Sequence, residues 1–430
     1  MRNETHDPGL RSWVAAAQQP GTDFPLQNLP YSVFRRSGSR EPWRGGVAIG
    51  DAILDMAAAH ALDMFGGQVA DAAKCASAST LNGLMALGPS AWTALRLALS
   101  RLLREGAPQA ARLRSCLVAQ ADAEYAVPTQ IGDYTDFLTS QYHALNAGRI
   151  FQPQHALPPN FKWLPIGYHG RASSVAVSDN RVQRPCGQTR RPDANMPGFG
   201  PTQKLDYEVE LGVFVGQGNT RGTAIAIDEA EQHAFGLCLL NDWSARDVQA
   251  WESMPLGPFM AKNFLTSISP WIVTLEALAP FRVPLPREVG DPAALPYLQS
   301  QRVKAYDIQL EAWLTPAGTA TGTRLSRTSY RHAYWSVAHM LAHHVSNGCN
   351  LRPGDLLGTG TQSGPEPGEL GCLLELARDG QAPLSLPDGS ERSYLQDGDS
   401  LLIRGWCERQ GQTRIGFGEC RGTVLPAVEI

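Results

Sequence analysis

The chain has 430 residues and a mass of 46.6 kDa, enough for two or three domains at roughly 150 residues each. With 43% hydrophobic and 18% charged residues it is neither a disordered chain nor a highly charged coiled coil, and a net charge of -4 without a basic run excludes a nucleic-acid footprint. No run of about 18 apolar residues occurs, so no membrane partner is expected, and the polar start from Met1 to Leu10 leads us to expect a cytoplasmic protein. The eight cysteines are scattered singly without a C-x-x-C pair, which argues for reduced thiols rather than a zinc or redox motif.

In chain order, the first 120 or so residues mix short Gly-rich segments with helical ones. Ser90 to Gly106 reads as a helix, with Trp92, Leu95, Leu99, Leu102 and Leu103 at helical spacing, Ser90 as N-cap and Gly106 as the stop. A domain boundary falls near residues 120–128, dividing the chain into 1–125 and 126–430. The chain has 42 glycines and 31 prolines, and their recurrence between short apolar runs in the second half indicates a turn-rich β architecture there. Lys204 to Val215, Ala234 to Leu240, Ala305 to Leu314 and Asp399 to Trp406 read as strands, and Gly216 to Gly222 as a hairpin turn. One more helix is expected over Tyr330 to Ser346, with Tyr334, Val337, Ala338, Leu341 and Val345 on one face.

Several of these segments carry groups capable of chemistry. In Lys204–Val215 a period of two puts Asp206, Glu208 and Glu210 on one side, with Glu208 and Glu210 about 7 Å apart, and on this segment alone a solvated acidic face is the simplest reading. Asp242 lies at a strand-to-helix junction, where Ser244 and Asp247 have capping-box spacing. Asp133 and Asp136 sit in a loop leaving the boundary. Carboxylates from separate segments are what Ca²⁺ or Mg²⁺ requires, though spacing does not show convergence.

Among the histidines, His339 and His343 have the i, i+4 spacing of a zinc protease, but Met340 stands where the motif needs Glu, so a solvated stripe with His332 and Ser336 is expected. His143 follows Asp136 closely and is either a structural histidine or a general base. Lys262, one of only five lysines against 32 arginines, falls in an apolar Gly/Pro segment and calls for a carboxylate or substrate anion as partner. No nucleophile elbow, P-loop or dinucleotide fingerprint is present.

Five motifs in chain order, Ile131-Gly-Asp-Tyr-Thr-Asp-Phe137, Pro165-Ile-Gly-Tyr-His-Gly-Arg-Ala-Ser-Ser174, Asn241-Asp-Trp-Ser-Ala-Arg-Asp247, Pro255-Leu-Gly-Pro-Phe259 and Asn347-Gly-Cys-Asn-Leu-Arg-Pro-Gly-Asp-Leu-Leu357, resemble the fumarylacetoacetase family from about residue 130 to the C-terminus. A weaker resemblance covers the N-terminal part. It implies a mainly β fold with a few helices, a small N-terminal β-barrel-like domain (1–125) plus a large C-terminal β-roll (126–430), in a homodimer. By the same resemblance Asp136, Glu208, Glu210 and Asp242 would ligate Ca²⁺ and/or Mg²⁺. His143 would be the general base oriented by Glu375, and Arg246, Gln249 and Lys262 the oxyanion donors. Lys262 and Thr266 would lie near a second, smaller cation, while Tyr168 and Thr361 would touch substrate.

The implied reaction is hydrolysis of a carbon–carbon bond in a β-diketo acid, as in the cleavage of fumarylacetoacetate to fumarate and acetoacetate in tyrosine and phenylalanine breakdown. His143 would deprotonate water, fixed donors would hold the oxyanion, and the cation would act as a Lewis acid on the departing enolate. At three substrate-contacting positions the chain departs from the family: Leu138 and Ser253 replace tyrosines and Gln152 an arginine. These departures admit another acylpyruvate or 1,3-diketone acid as substrate. A non-catalytic, cation-stabilised binder on the same scaffold is the remaining alternative, disfavoured by the retention of His143, Glu375 and Lys262.

Overall fold

The computed structural model describes residues 2–151, 153–191 and 193–428, so the expected substrate-side residue Gln152 lies outside the described residues. Strands outweigh helices, 29% against 24%, and the sheets curl into half-barrels, in keeping with a mainly β fold. Near the N-terminus the strands Leu117–Ala119, Ala52–Asp55, Arg44–Ile49, Tyr31–Arg36 and Ala123–Ala126 form an antiparallel sheet in that spatial order. The helix Pro89–Leu103 buries Leu95, Leu99, Leu102 and Leu103 in the associated core. Its N-cap is Gly88, two residues before the expected Ser90, because Pro89, whose fixed φ suits the first turn, precedes Ser90, and it ends at Leu103 with Arg104 as C-cap, ahead of the expected stop at Gly106. Its core continues into Phe214, Phe235, Leu240, Ile268 and Leu356 of the next sheet.

That sheet runs Ile166–His169, Tyr134–Leu138, Leu356–Gly358, Val209–Val215, Ala234–Asp242, Thr266–Ile268 and Val175–Val177, with Val273–Thr274 also paired to the long fifth strand. A second large sheet orders Thr323–Ser329, Gln309–Thr315, Ser400–Cys407, Ile415–Leu425 and Asn180–Gln183. Between them lies the main core, which includes Leu211, Leu239, Trp243, Leu310, Ile403 and Phe417. With protein against both sides, the central strands Val209–Val215 and Ala234–Asp242 have no wet face and read as continuous buried runs.

This covering corrects several expectations. Glu208 and Glu210 are 4% and 0% exposed, so the acidic face is buried rather than solvated, and the expected strand Lys204–Val215 breaks into Leu205–Asp206 and Val209–Val215. Ala305–Leu314 likewise splits into Ala305–Tyr306 and Gln309–Thr315. Gly216–Gly222 is no tight hairpin turn: it begins a long connection, ending in a 3₁₀ turn at Ala230–His233, between two antiparallel strands. The late helix is only Val337–His344, capped by Ser336, and its first six residues are all buried. His339 therefore sits in the core with its ring on Ser336 at 2.8 Å, and burial lowers its pKa to about 3. Of the expected stripe, Ser336 and His339 are buried, while His343 and His332, the latter outside the helix, are half-buried.

Candidate active site

The end of the first large sheet concentrates the acids. Asp136 lies on Tyr134–Leu138, Glu210 on Val209–Val215, and Asp242 is the last residue of Ala234–Asp242. One carboxylate oxygen from each of Asp136, Glu210 and Asp242 lies within 4.8 Å of the others. Glycines make the approach possible. Gly358 pairs with Asp136 across the parallel ladder, and a Cβ there would come within 2.4 Å of Asp136 Oδ1. Gly360, at φ +71°, donates its N–H to Asp136 Oδ1 at 3.2 Å, in a left-handed conformation that favours glycine.

Both Glu210 oxygens are buried without a hydrogen-bond partner. Burial, with the charges of Asp136, Glu208 and Asp242, pushes the Glu210 carboxyl well above its usual range. Burial and the Asp242 charge likewise push Asp136 up to about 8. A buried carboxylate with no hydrogen-bond partner is costly, so Glu210 is the residue whose chemistry most calls for a cation against it. The donor set consists of carboxylate oxygens, as hard cations prefer. Asp136, Glu210 and Asp242 thus fit Ca²⁺ or Mg²⁺.

Glu208, the fourth expected ligand, stands beside this group with its oxygens engaged. Oε1 accepts from Arg246 Nη1 at 2.7 Å and Oε2 from Lys262 Nζ. Burial favours its neutral form, but Lys262 and Arg246 outweigh that and hold Glu208 well below the usual carboxylate range. Lys262 also donates to Asp242 Oδ2 at 2.8 Å, so its expected partner is a pair of buried carboxylates. Thr266 Oγ1 donates to Asp242 Oδ1 at 3.1 Å, and the half-buried Tyr168 hydroxyl reaches Asp242 Oδ2 at 3.3 Å. Arg246 opens the helix Arg246–Glu252, and one turn on, Gln249 Oε1 accepts from its Nη1 at 3.1 Å. The capping box expected here does not form. Ser244 belongs to a short strand and bonds Asp242 O, while Asp247 is claimed by Thr202 and the Gln203 N–H.

His143, on the helix Gln141–Phe151, directs Nδ1 to Glu375 Oε2 at 2.7 Å. A carboxylate on Nδ1 places that proton there and leaves Nε2 free to accept one. Glu375 lies in the short helix Leu373–Leu376 and also accepts from Asn146 at 2.9 Å, Ser363 at 2.8 Å and the Cys372 thiol at 3.2 Å. Burial alone would raise its pKa, yet the His143 charge and these donors lower it. Burial, then the Glu375 charge, raises the Cys372 thiol well above its ordinary value, so it acts as a donor rather than a thiolate ligand. Asn146, Ser363 and Cys372 were not singled out from sequence. Asn146 had a signal, its i+3 spacing from His143, whereas Ser363 and Cys372 had none.

Thr361 Oγ1 is buried without a partner and Arg246 Nη2 likewise, so both have hydrogen bonds to give. Leu138 is half-buried against the main core, and Ser253 Oγ donates to Gln249 O at 2.6 Å. Neither supplies a phenol.

With this fold and this collection of groups, the chain belongs to the fumarylacetoacetate hydrolase family. The family's C-terminal region matches residues 134–425, and the region described as fumarylacetoacetase N-terminal matches residues 27–128. The chain is 47% identical over 426 residues to the fumarylacetoacetase of Oryza sativa subsp. japonica, covering 97% of this chain and 98% of that one. It is 49% identical to that of Caenorhabditis elegans (97% and 100% covered) and 46% to that of Homo sapiens (97% and 99%). The solved fumarylacetoacetate hydrolase from psychrophilic Exiguobacterium antarcticum shares the fold, with a TM-score of 0.51 over 93% of this chain and 99% of that chain at 18% identity.

Proposed function

We propose that this protein is a cation-dependent hydrolase that adds water across a carbon–carbon bond of fumarylacetoacetate to yield fumarate and acetoacetate, acting in aromatic amino-acid breakdown. The observations that carry this reading are a buried His143–Glu375 pair, whose His143 charge acts on Glu208, and three clustered carboxylates joined to Glu208 through the buried cation Lys262, with Arg246 also on Glu208. Full-length relatives at 46–49% identity bearing the fumarylacetoacetase name support the substrate. Every residue assigned a role falls in 126–430, and we read 1–125 as a supporting domain.

Asp136, Glu210 and Asp242, with Glu208 beside them, hold Ca²⁺ or Mg²⁺, which when bound supplies Lewis acidity toward the diketone oxygens. His143 Nε2 takes a proton from water while Glu375 stabilises the resulting imidazolium. The hydroxide adds to the carbonyl carbon, and Arg246, Gln249 and Lys262 hold the oxyanion, each such donor being worth roughly 3–4 kcal/mol. As the carbon–carbon bond breaks, its electron pair leaves with the acetoacetate portion, and the proton held by His143 is returned to that carbon. Tyr168 and Thr361 contact the substrate, and Lys262 and Thr266, both bonded to Asp242, would lie near a second, smaller cation.

Four large apolar side chains exposed within seven residues, Met254, Leu256, Phe259 and Met260, support a homodimer. Eight free cysteines support a reducing, cytoplasmic setting. A different acyl group remains the second reading, favoured by the apolar Leu138 and by Ser253, whose hydroxyl is spent on Gln249. Turnover measured on fumarylacetoacetate and a panel of acylpyruvates, with cation and with chelator, tests both. We expect cation-dependent loss of fumarylacetoacetate. Inactivity of the cation-loaded protein on every β-diketo acid would overturn the hydrolase reading.

A further inference from the structure

We infer that Asp206 is a positioning residue that fixes Arg246 and the His143–Glu375 pair relative to one another, an assignment that rests on the hydrolase reading above. Asp206 is fully buried in the two-residue strand Leu205–Asp206. Its Oδ1 accepts the N–H groups of Tyr207 and Leu373, both at 2.8 Å. Its Oδ2 accepts the Leu374 N–H at 3.0 Å and Arg246 Nε at 2.8 Å. Four donors fill the acceptor directions of one carboxylate.

The partners are what give this saturation meaning. Leu373 and Leu374 are the first two residues of the short helix that carries Glu375, and its own N-cap, Cys372, makes no side-chain cap bond. Asp206, 167 residues earlier in the chain, supplies that cap. The same carboxylate grips Arg246 at Nε, so Nη1 is left for Glu208 and Gln249 and the buried Nη2 has no partner. One group thus anchors the root of the oxyanion donor and the first turn beneath the residue that orients the base. A displacement of about 1 Å between base and donor can cost about 100-fold in rate.

The test uses the full-length, cation-loaded protein. Asp206→Asn keeps the shape but turns one acceptor into a donor facing N–H groups. For the folded variant we expect kcat on fumarylacetoacetate to fall about 10- to 100-fold with KM and cation affinity within about threefold. By NMR of the substrate-free protein, the His143 Nδ1–H and Arg246 Nε–H protons should exchange with solvent at least about tenfold faster. Wild-type kcat, or slow turnover with both proton signals unchanged, overturns the assignment. If Asp206→Asn does not fold, Arg246→Lys reads the link from the other end: it retains the charge but has no Nε donor, and faster exchange at His143 is expected, an unchanged ring proton refuting the link. Absence of turnover by the wild type would instead sink the hydrolase reading, and the NMR measurements would still decide whether Asp206 couples the two groups.

Discussion

Removing the cation should leave a protein whose stability declines as the pH rises from 6 to 8. Burial and neighbouring charge place Asp136 at about 8, raise Glu210 well above its ordinary value and raise Asp242 as well. At pH 7 the cation-free site therefore keeps the Asp136 proton about nine times in ten, whereas unfolded Asp and Glu have released theirs above about pH 5. The folded state binds more protons than the unfolded one across this window, so the sign is negative: stability is lost as pH rises toward the folded-state pKa. The slope is at most about 1.4 kcal/mol per pH unit for each retained proton, and about twice that if Asp136 and Glu210 both hold one. Glu208 does not enter, because its depressed carboxyl titrates in acid. Cation binding should expel the retained protons, so apparent affinity rises up to about tenfold per pH unit for each one. Urea unfolding of chelated and cation-loaded protein at pH 6, 7 and 8, with binding calorimetry in two buffers of different ionisation heat, measures both effects. A chelated protein as stable relative to the loaded form at pH 8 as at pH 6, or binding without proton release, would refute the account of a proton-holding carboxylate cluster.

Glu210→Gln should weaken Ca²⁺ or Mg²⁺ binding and activity together while flattening that pH slope; wild-type cation affinity by calorimetry would remove Glu210 from the site. His143→Ala should lower kcat by about 100- to 10,000-fold with cation affinity unchanged, and an unaltered kcat would mean that another group activates the water. Lys262→Met leaves Glu208 and Asp242 without their shared ammonium, and breaking such a buried pairing should cost about 3–5 kcal/mol in urea unfolding, less when cation is present. Restoring the family's residues with Leu138→Tyr, Gln152→Arg and Ser253→Tyr should raise kcat/KM on fumarylacetoacetate relative to less anionic acyl analogues. A parent protein that already prefers fumarylacetoacetate to all of them would show that the three departures leave specificity intact.

The residue types in order along the chain were enough to collect Asp136, Glu208, Glu210 and Asp242 as candidate ligands and to mark Lys262 as needing an anionic partner. They also placed the helix at Pro89–Leu103 to within about two residues at each end, because a 3.6-residue apolar period is a local signal, although Gly88 and Arg104 rather than Ser90 and Gly106 mark its ends. Which side of a strand is wet is not local. Glu208 and Glu210 alternate with apolar residues as they would on a solvated face, and only protein on both sides of the sheet turns that face into a buried site. The same covering put His339 in the core instead of on a wet stripe. Partnerships across hundreds of residues were equally invisible: His143 meets Glu375 at a separation of 232 residues, and Asp206 caps Leu373 at 167. Such contacts depend on how strands are ordered in the sheets, which the hydrophobic pattern of any one segment does not encode. Sequence thus determined which chemical groups were available, whereas tertiary packing decided which of them lost their water and therefore had to find one another, or a cation.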